Sequence, residues 1–221
     1  MSRTELVIFD CDGVLVDSEL IGCRIEAEEL TRLGLHITRE EILERFTGAT
    51  AAETFRTLEA EHGQPLPEDF VPRVKEAIRA AFSRELQAIA GVAAALEQIT
   101  LPVCVASSSD PARIEHSLAV VGLLERFAPH IFSAAAVERG KPAPDLFLYA
   151  ARCMATPPAR CVVIEDSLRG VQAGVAAGMR VLGFAGGSHC RPGHDGQLKA
   201  AGAERVFADM AMLPELLAGR A

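Results

Sequence analysis

The first polar break in the chain, Asp10-Cys11-Asp12-Gly13, sets two carboxylates two residues apart on a tight turn. One carboxylate so placed can attack an electrophile while the other gives and takes a proton. Three later breaks also carry reactive groups: Ser107-Ser108-Ser109-Asp110, Gly140-Lys141-Pro142 and Glu165-Asp166-Ser167. Ser107 and Ser108 offer hydroxyl and N–H donors. Asp110-Pro111 supplies a helix N-cap and first helical position, and a helix N-terminus favours an anion. Lys141 is one of three lysines, with Lys75 and Lys199. Glu165-Asp166 is a carboxylate pair suited to a hard cation such as Mg²⁺. Each break by itself also has a local reading as a turn, a helix cap or a solvated side chain. Together they supply an acid pair, hydroxyls, a cation and a second acid pair, which is the set needed to bind a phosphate with Mg²⁺ and attack its phosphorus.

The elements that must carry these breaks are legible as apolar runs. Glu5–Phe9, Pro102–Ala106, Cys161–Ile164 and Arg180–Phe184 are short apolar stretches, each stopped by polar or glycine residues. Such runs fit parallel strands buried on both faces. Ile131–Ser133 is a shorter candidate and Glu204–Ala208 a last edge strand. Pro144–Met154, Ser167–Ala177 and Met210–Leu217 have helical spacing, so strands alternate with helices as in a doubly wound parallel sheet. In that architecture the reactive crevice lies beyond the carboxyl ends of the strands, where the four polar breaks fall.

From Glu19 to about residue 90 the alternation stops. Glu19–Leu33, Arg39–Arg45, Ala51–His62 and Glu68–Leu86 are amphipathic, and Gly34, Thr47-Gly48 and Gly63–Pro67 punctuate them. The division expected is an α/β core of residues 1–18 and 87–221 with a helical cap domain of residues 19–86 inserted after the first strand. Gly186–Asp195 reads as a surface loop. Its His189, Cys190 and His194 match no standard zinc spacing.

A chain of 221 residues with 49% hydrophobic and 24% charged residues can bury a real core. Its net charge of −8 argues against nucleic-acid binding and against adhesion to anionic lipid. No apolar run is long enough for a membrane span or a signal peptide. The six cysteines form no CxxC pair and read as free thiols. The expectation is a cytoplasmic protein, a monomer or weak dimer, whose partner is a small phosphorylated metabolite.

With Asp10-Cys11-Asp12-Gly13-Val14-Leu15-Val16-Asp17, Ser107, Lys141 and Glu165-Asp166 in this order, nearly the whole chain resembles a phosphatase of the haloacid dehalogenase (HAD) superfamily, within its β-phosphoglucomutase-like group. Glu44–Gly48 and Leu86–Gly91 are similar to stretches of sugar-acid phosphatases in that group. The resemblance implies a HAD-like, Rossmann-type sheet with a helical cap. It also implies Asp10 as nucleophile, Asp12 as acid/base, and Ser107 and Lys141 holding the phosphoryl oxygens. Mg²⁺ would then bind at Asp10, the Asp12 carbonyl and Asp166, with Glu165 close by.

Two other readings stand beside the phosphatase. A non-catalytic phospho-ligand-binding domain would be favoured by a missing motif residue, and none is missing. A phosphomutase of this group carries a cap His where this chain has Gly22, and an Arg after the cap glycine where Gly48 is followed by Ala49, Thr50 and Ala51. Lys75 is the only cap lysine and reads as solvated. Arg24, Arg32, Arg45 and Arg56 are expected mostly in helix-surface ion pairs.

Overall fold

The computed structural model describes residues 4–46 and 49–219; Thr47 and Gly48, and with them the reading of that break and of the cap glycine, lie outside the described residues. Strands β1 (Leu6–Phe9), β2 (Val103–Ser107), β3 (Ile131–Ser133), β4 (Cys161–Glu165), β5 (Arg180–Phe184) and β6 (Arg205–Phe207) form one sheet in the order β3-β2-β1-β4-β5-β6. Every neighbouring pair is parallel. Helices α1 (Glu19–Arg32), α2 (Arg39–Phe46), α3 (Ala51–His62) and α4 (Phe70–Glu85) lie between β1 and β2 in sequence. The rest are α5 (Val92–Gln98), α6 (Pro111–Val120), α7 (Leu124–Phe127), α8 (Asp145–Cys153), α9 (Leu168–Ala176), α10 (His194–Ala200) and α11 (Leu213–Leu217). The chain is thus a doubly wound α/β protein with a helical insert.

The central strands read as unbroken apolar runs because both faces of the sheet are covered. Val7, Phe9, Val105, Ile164 and Leu182 enter one apolar cluster with Val92 of α5, Ile114 and Leu118 of α6, and Leu213 of α11. Leu6, Ile8, Cys104, Val163 and Val181 enter the other with Phe147 of α8, Val171 of α9 and Leu198 of α10.

The apolar side chains of the insert continue the first of these clusters. Ile25 and Leu30 of α1, Ile42 of α2, Phe55 and Leu58 of α3, and Phe70, Val74 and Phe82 of α4 are all buried. The Phe55 and Phe70 rings meet edge-on with centroids 5.2 Å apart. A capping box fixes the start of α3: the Thr50 hydroxyl accepts from Glu53 N at 3.2 Å, and Glu53 Oε2 accepts from Thr50 N at 2.9 Å. The two chain crossings into the insert bond to each other, Asp17 N to the Gln87 carbonyl at 2.9 Å and Ile89 N to the Leu15 carbonyl at 3.0 Å.

The structure adds to the sequence reading in three places. Helices α5 and α7 have only seven and four residues, too short for a periodic signal. Helix α10 begins at His194, inside the stretch read as loop, and Gly193 at φ 89° makes the entry. None of the helices among the described residues is long and apolar enough to cross a membrane.

Candidate active site

The register of the three central strands sets the floor of the site. Phe9 pairs with Val105 on one side and Ile164 on the other, so Asp10, Ala106 and Glu165 follow at one level. The buried Lys141, from the loop after β3, reaches all three. Its Nζ donates to Asp10 Oδ1 at 2.7 Å, to Glu165 Oε1 at 2.7 Å and to the Ala106 carbonyl at 3.1 Å. Burial alone would discharge the lysine, but the two carboxylates outweigh it and hold the ammonium charged. Asp10 is pushed up by burial and by its neighbours Glu165 and Asp166, against the pull of Lys141.

Glu165 is held on every side. Its Oε2 accepts from Ser167 N at 2.8 Å and Ser167 Oγ at 2.9 Å. Gly170 in the first turn of α9 leaves the room, since a Cβ there would lie 1.7 Å from Glu165 Oε1.

Asp12 lies in a different environment two residues on. Its Oδ1 accepts from Ser18 Oγ at 2.6 Å and Arg113 Nη2 at 3.1 Å, and its Oδ2 accepts from Ser109 Oγ at 2.6 Å. Burial pushes its carboxyl up, but Arg113 and the hydroxyl donors prevail and bring it below the ordinary range. The turn itself requires Gly13: φ is 79°, and a Cβ would fall 2.0 Å from Asp166 Oδ2. Ser107 Oγ is buried at the end of β2 and accepts from Ser109 N at 3.1 Å. Ser108 lines the crevice beside it.

Asp10, Glu165 and Asp166 bring ligand oxygens within 4.8 Å of one another. Among the described residues two cations face these three carboxylates: Lys141, and His189, whose imidazole, against the effect of burial, Asp166 and Cys190 raise to about 11. Asp166 Oδ2 is buried and lies 2.9 Å from His189 Nε2, an ion-pair distance without hydrogen-bond alignment. An all-oxygen, net-negative cluster fits a hard divalent cation.

The crevice between this floor and the insert has a volume of about 990 Å³. Glu19 and Glu26 of α1 line it, with burial raising their carboxyls to about 8 and about 7. Contacts span from insert to core at Lys75 Nζ to Asp110 Oδ2 (3.0 Å) and Arg169 Nη2 to Glu53 Oε1 (3.0 Å). Lys75 is exposed, as its sequence reading has it, and also pairs with Asp110 at the crevice mouth. Arg24 pairs with Glu28 and Glu85, Arg32 with Glu29 and Arg45 with Glu61, while Arg56 lines the crevice.

The structure thus gathers Asp10, Asp12, Ser107, Ser108, Lys141, Glu165 and Asp166 at the carboxyl ends of the central strands. Sequence reasoning missed the partners that position them. Arg113 lies in the first turn of α6, where a side chain can point back toward the strand ends. A Cβ at Gly22 would lie 3.7 Å from Arg113 Nη2, so this guanidinium occupies the space beside Gly22. Ser18, Ser109 and Arg169 were missed as well, because only the tertiary fold gives them partners. His189, read as part of a surface loop, is buried against Asp166; Gly13 and Gly187 make room, since a Cβ on either would lie within 2.8 Å of its ring.

The chain matches the model of the haloacid dehalogenase-like hydrolases over residues 7–184. It is 35% identical to the 6-phosphogluconate phosphatase of Escherichia coli (strain K12), over all of this chain and 97% of that protein. A crystal structure of a conserved haloacid dehalogenase-like protein of unknown function from Agrobacterium tumefaciens superposes with a TM-score of 0.84 at 42% identity, covering 98% of each chain. A HAD family hydrolase from Deinococcus radiodurans, solved with bound phosphate and sodium, gives 0.78 at 36% identity over 100% of this chain and 97% of that one. The chain belongs to the haloacid dehalogenase-like hydrolase family.

Proposed function

We propose that this chain is a Mg²⁺-dependent phosphatase that hydrolyses a small sugar or sugar-acid phosphate through an aspartyl-phosphate on Asp10. The observation that carries the reading is the buried Lys141 joined to both Asp10 and Glu165 beside Asp166. That set presents an anionic nucleophile and a fixed cation at the point where a phosphoryl group would enter. That the chain is a phosphoric monoester hydrolase agrees with its family and with the phosphatase it resembles over its full length.

In this reading an Asp10 carboxylate oxygen attacks phosphorus and the ester P–O bond breaks. The departing alkoxide takes a proton from Asp12, which binds one from solvent as the phosphate's negative charge enters beside it and opposes the pull of Arg113. Asp12 then accepts a proton from water, whose oxygen attacks the phosphorus of the aspartyl-phosphate, freeing inorganic phosphate and Asp10. Lys141, Ser107 Oγ and the Ser108 backbone N–H hold the equatorial oxygens, where charge spreads in the transition state. Glu165 fixes the Lys141 ammonium, and Ser18, Ser109 and Arg113 fix Asp12. Asp10, the Asp12 carbonyl and Asp166 would hold Mg²⁺, with Glu165 adjacent; when bound, the ion neutralises phosphate charge.

Residues 19–86 act here as a cap that closes over a small substrate and excludes water, held to the core by the Lys75–Asp110 and Arg169–Glu53 pairs. The substrate class follows the relative named for 6-phosphogluconate, itself a sugar-acid phosphate. Against a mutase, the cation beside Asp12 is Arg113 of the core, which stays with the floor whatever the insert does. Six free thiols fit a cytoplasmic protein.

The test is a panel of phosphate esters assayed for released phosphate: 6-phosphogluconate, hexose phosphates, p-nitrophenyl phosphate and a phosphopeptide. Activity that needs Mg²⁺, is lost in EDTA and favours the sugar esters over the phosphopeptide is expected. Turnover that persists after chelation, or equal efficiency on the phosphopeptide, contradicts the proposal.

A further inference from the structure

A second cluster of potential ligands stands directly behind Asp166. His189, Cys190 and His194 bring one ligand atom each within 4.8 Å of one another. Cys190 Sγ lies 3.6 Å from His189 Nε2. Zn–S and Zn–N bonds of about 2.3 and 2.05 Å at a tetrahedral angle put the two ligand atoms about 3.6 Å apart. The pair therefore already has the separation that a tetrahedral ion requires.

Both imidazoles are held in place. His194 Nε2 donates to the backbone carbonyl of Asp166 at 2.6 Å, which leaves Nδ1 with its lone pair. A ligating imidazole commonly has its second nitrogen anchored in this way. His189 is buried, 5% exposed, and its Nδ1 has no hydrogen-bond partner. Its ring meets that of His194 edge-on at 5.9 Å between centroids. Cys190 is half-buried, so the site has an entrance.

The ligand set differs in kind from the all-oxygen cluster at Asp10. One sulfur and two imidazole nitrogens select a soft or borderline transition metal and discriminate against Mg²⁺. Spacing alone missed this, because one-residue and four-residue separations in a glycine-rich loop match no common zinc pattern. The turn that buries His189 and the start of α10 at His194 bring the three together.

We propose that His189, Cys190 and His194 form a binding site for a divalent transition metal of the Zn²⁺ class, separate from the carboxylate site. The proposal stands whatever substrate the enzyme takes. Three protein ligands leave a fourth position open for water.

Co²⁺ is the probe, because a thiolate bound to tetrahedral cobalt gives a sulfur-to-metal charge-transfer band in the near ultraviolet that Mg²⁺ and carboxylate-bound cobalt do not. The reduced full-length protein is titrated with Co²⁺ in excess Mg²⁺. The expected result is one such band saturating at one Co²⁺ per chain and abolished by one equivalent of Zn²⁺. Cys190→Ser, confirmed as folded by circular dichroism, should lose the band, and His194→Ala should weaken binding by about tenfold or more. Absence of the band in the wild type, its survival in Cys190→Ser, or unchanged affinity in His194→Ala overturns the site.

Discussion

Two helical glycines show how differently the floor of the crevice and the insert above it are built. At Gly170 in α9 a methyl group would land 1.7 Å from Glu165 Oε1, inside a buried network that also holds Lys141 and Asp10. At Gly22 in α1 the same methyl would find its nearest neighbour at 3.7 Å, an ordinary contact with Arg113 Nη2. The floor is a set of strand ends locked in register, where Asp10, Glu165 and Lys141 are fixed by one another. The insert is held by apolar side chains continuous with one face of the sheet and by exposed pairs such as Arg79–Glu76 and Arg39–Glu40. Pairs of that kind are worth about 0–1 kcal/mol each. Rigidity is concentrated where charge must be placed, and the insert is free to differ in its side chains.

The largest difference should appear on adding a methyl group to each. Gly170→Ala, although alanine favours helix, must displace the Glu165 carboxylate. It is expected to destabilise the protein by about 3 kcal/mol and to cut phosphatase activity on the order of a hundredfold. Urea unfolding and steady-state kinetics check this. Wild-type stability with full activity would show that the floor is not tightly packed.

A smaller effect is expected at Glu26, which faces the crevice from α1. Its folded-state value is raised by burial from an ordinary 4.5 to about 7, against the pull of Arg113. A carboxyl with a raised value binds its proton more tightly in the folded state. Its contribution to stability is therefore greatest below about pH 4.5 and is lost as pH rises through about 7. Glu26→Gln should remove that decline, leaving the variant more stable than wild type at pH 8 by about 1–2 kcal/mol after allowance for its half-exposed side chain. Parallel stability curves for the two proteins from pH 5 to pH 8 would contradict the burial argument. The smallest effect is at Gly22→Ala, which should stabilise α1 by about 0.5–1 kcal/mol. A loss of more than that, read by the same unfolding measurement, would place the insert among the tightly built regions.

The same contrast decides what was legible in the sequence. Strands β1, β2 and β4 announce themselves because burial on both faces demands continuous apolar residues, and Asp10, Ser107, Glu165 and Asp166 follow directly at their ends. Lys141 could be singled out by its rarity, but nothing local says that it reaches across to Asp10 and Glu165. Those contacts depend on strand order and register, which the sequence encodes only through the whole fold. Arg113 and His189 were hidden for the same reason: each gains its role from a partner about 100 or about 20 residues away. The insert helices showed in their periodicity, whereas α5 and α7 were too short to show.

A burst experiment separates the role of Asp10 as nucleophile from that of Asp12 as the group that activates water. p-Nitrophenolate needs no proton to leave, so Asp12→Asn should transfer the phosphoryl group to Asp10 and then stall. With Mg²⁺ and p-nitrophenyl phosphate, that variant should release about one equivalent of p-nitrophenolate per chain and then slow on the order of a thousandfold. Acid-quenched peptides should carry the phosphoryl group on Asp10, and Asp10→Asn should give no burst. Slow linear release from Asp12→Asn with no burst, or a phosphoryl group found on another residue, would contradict the account.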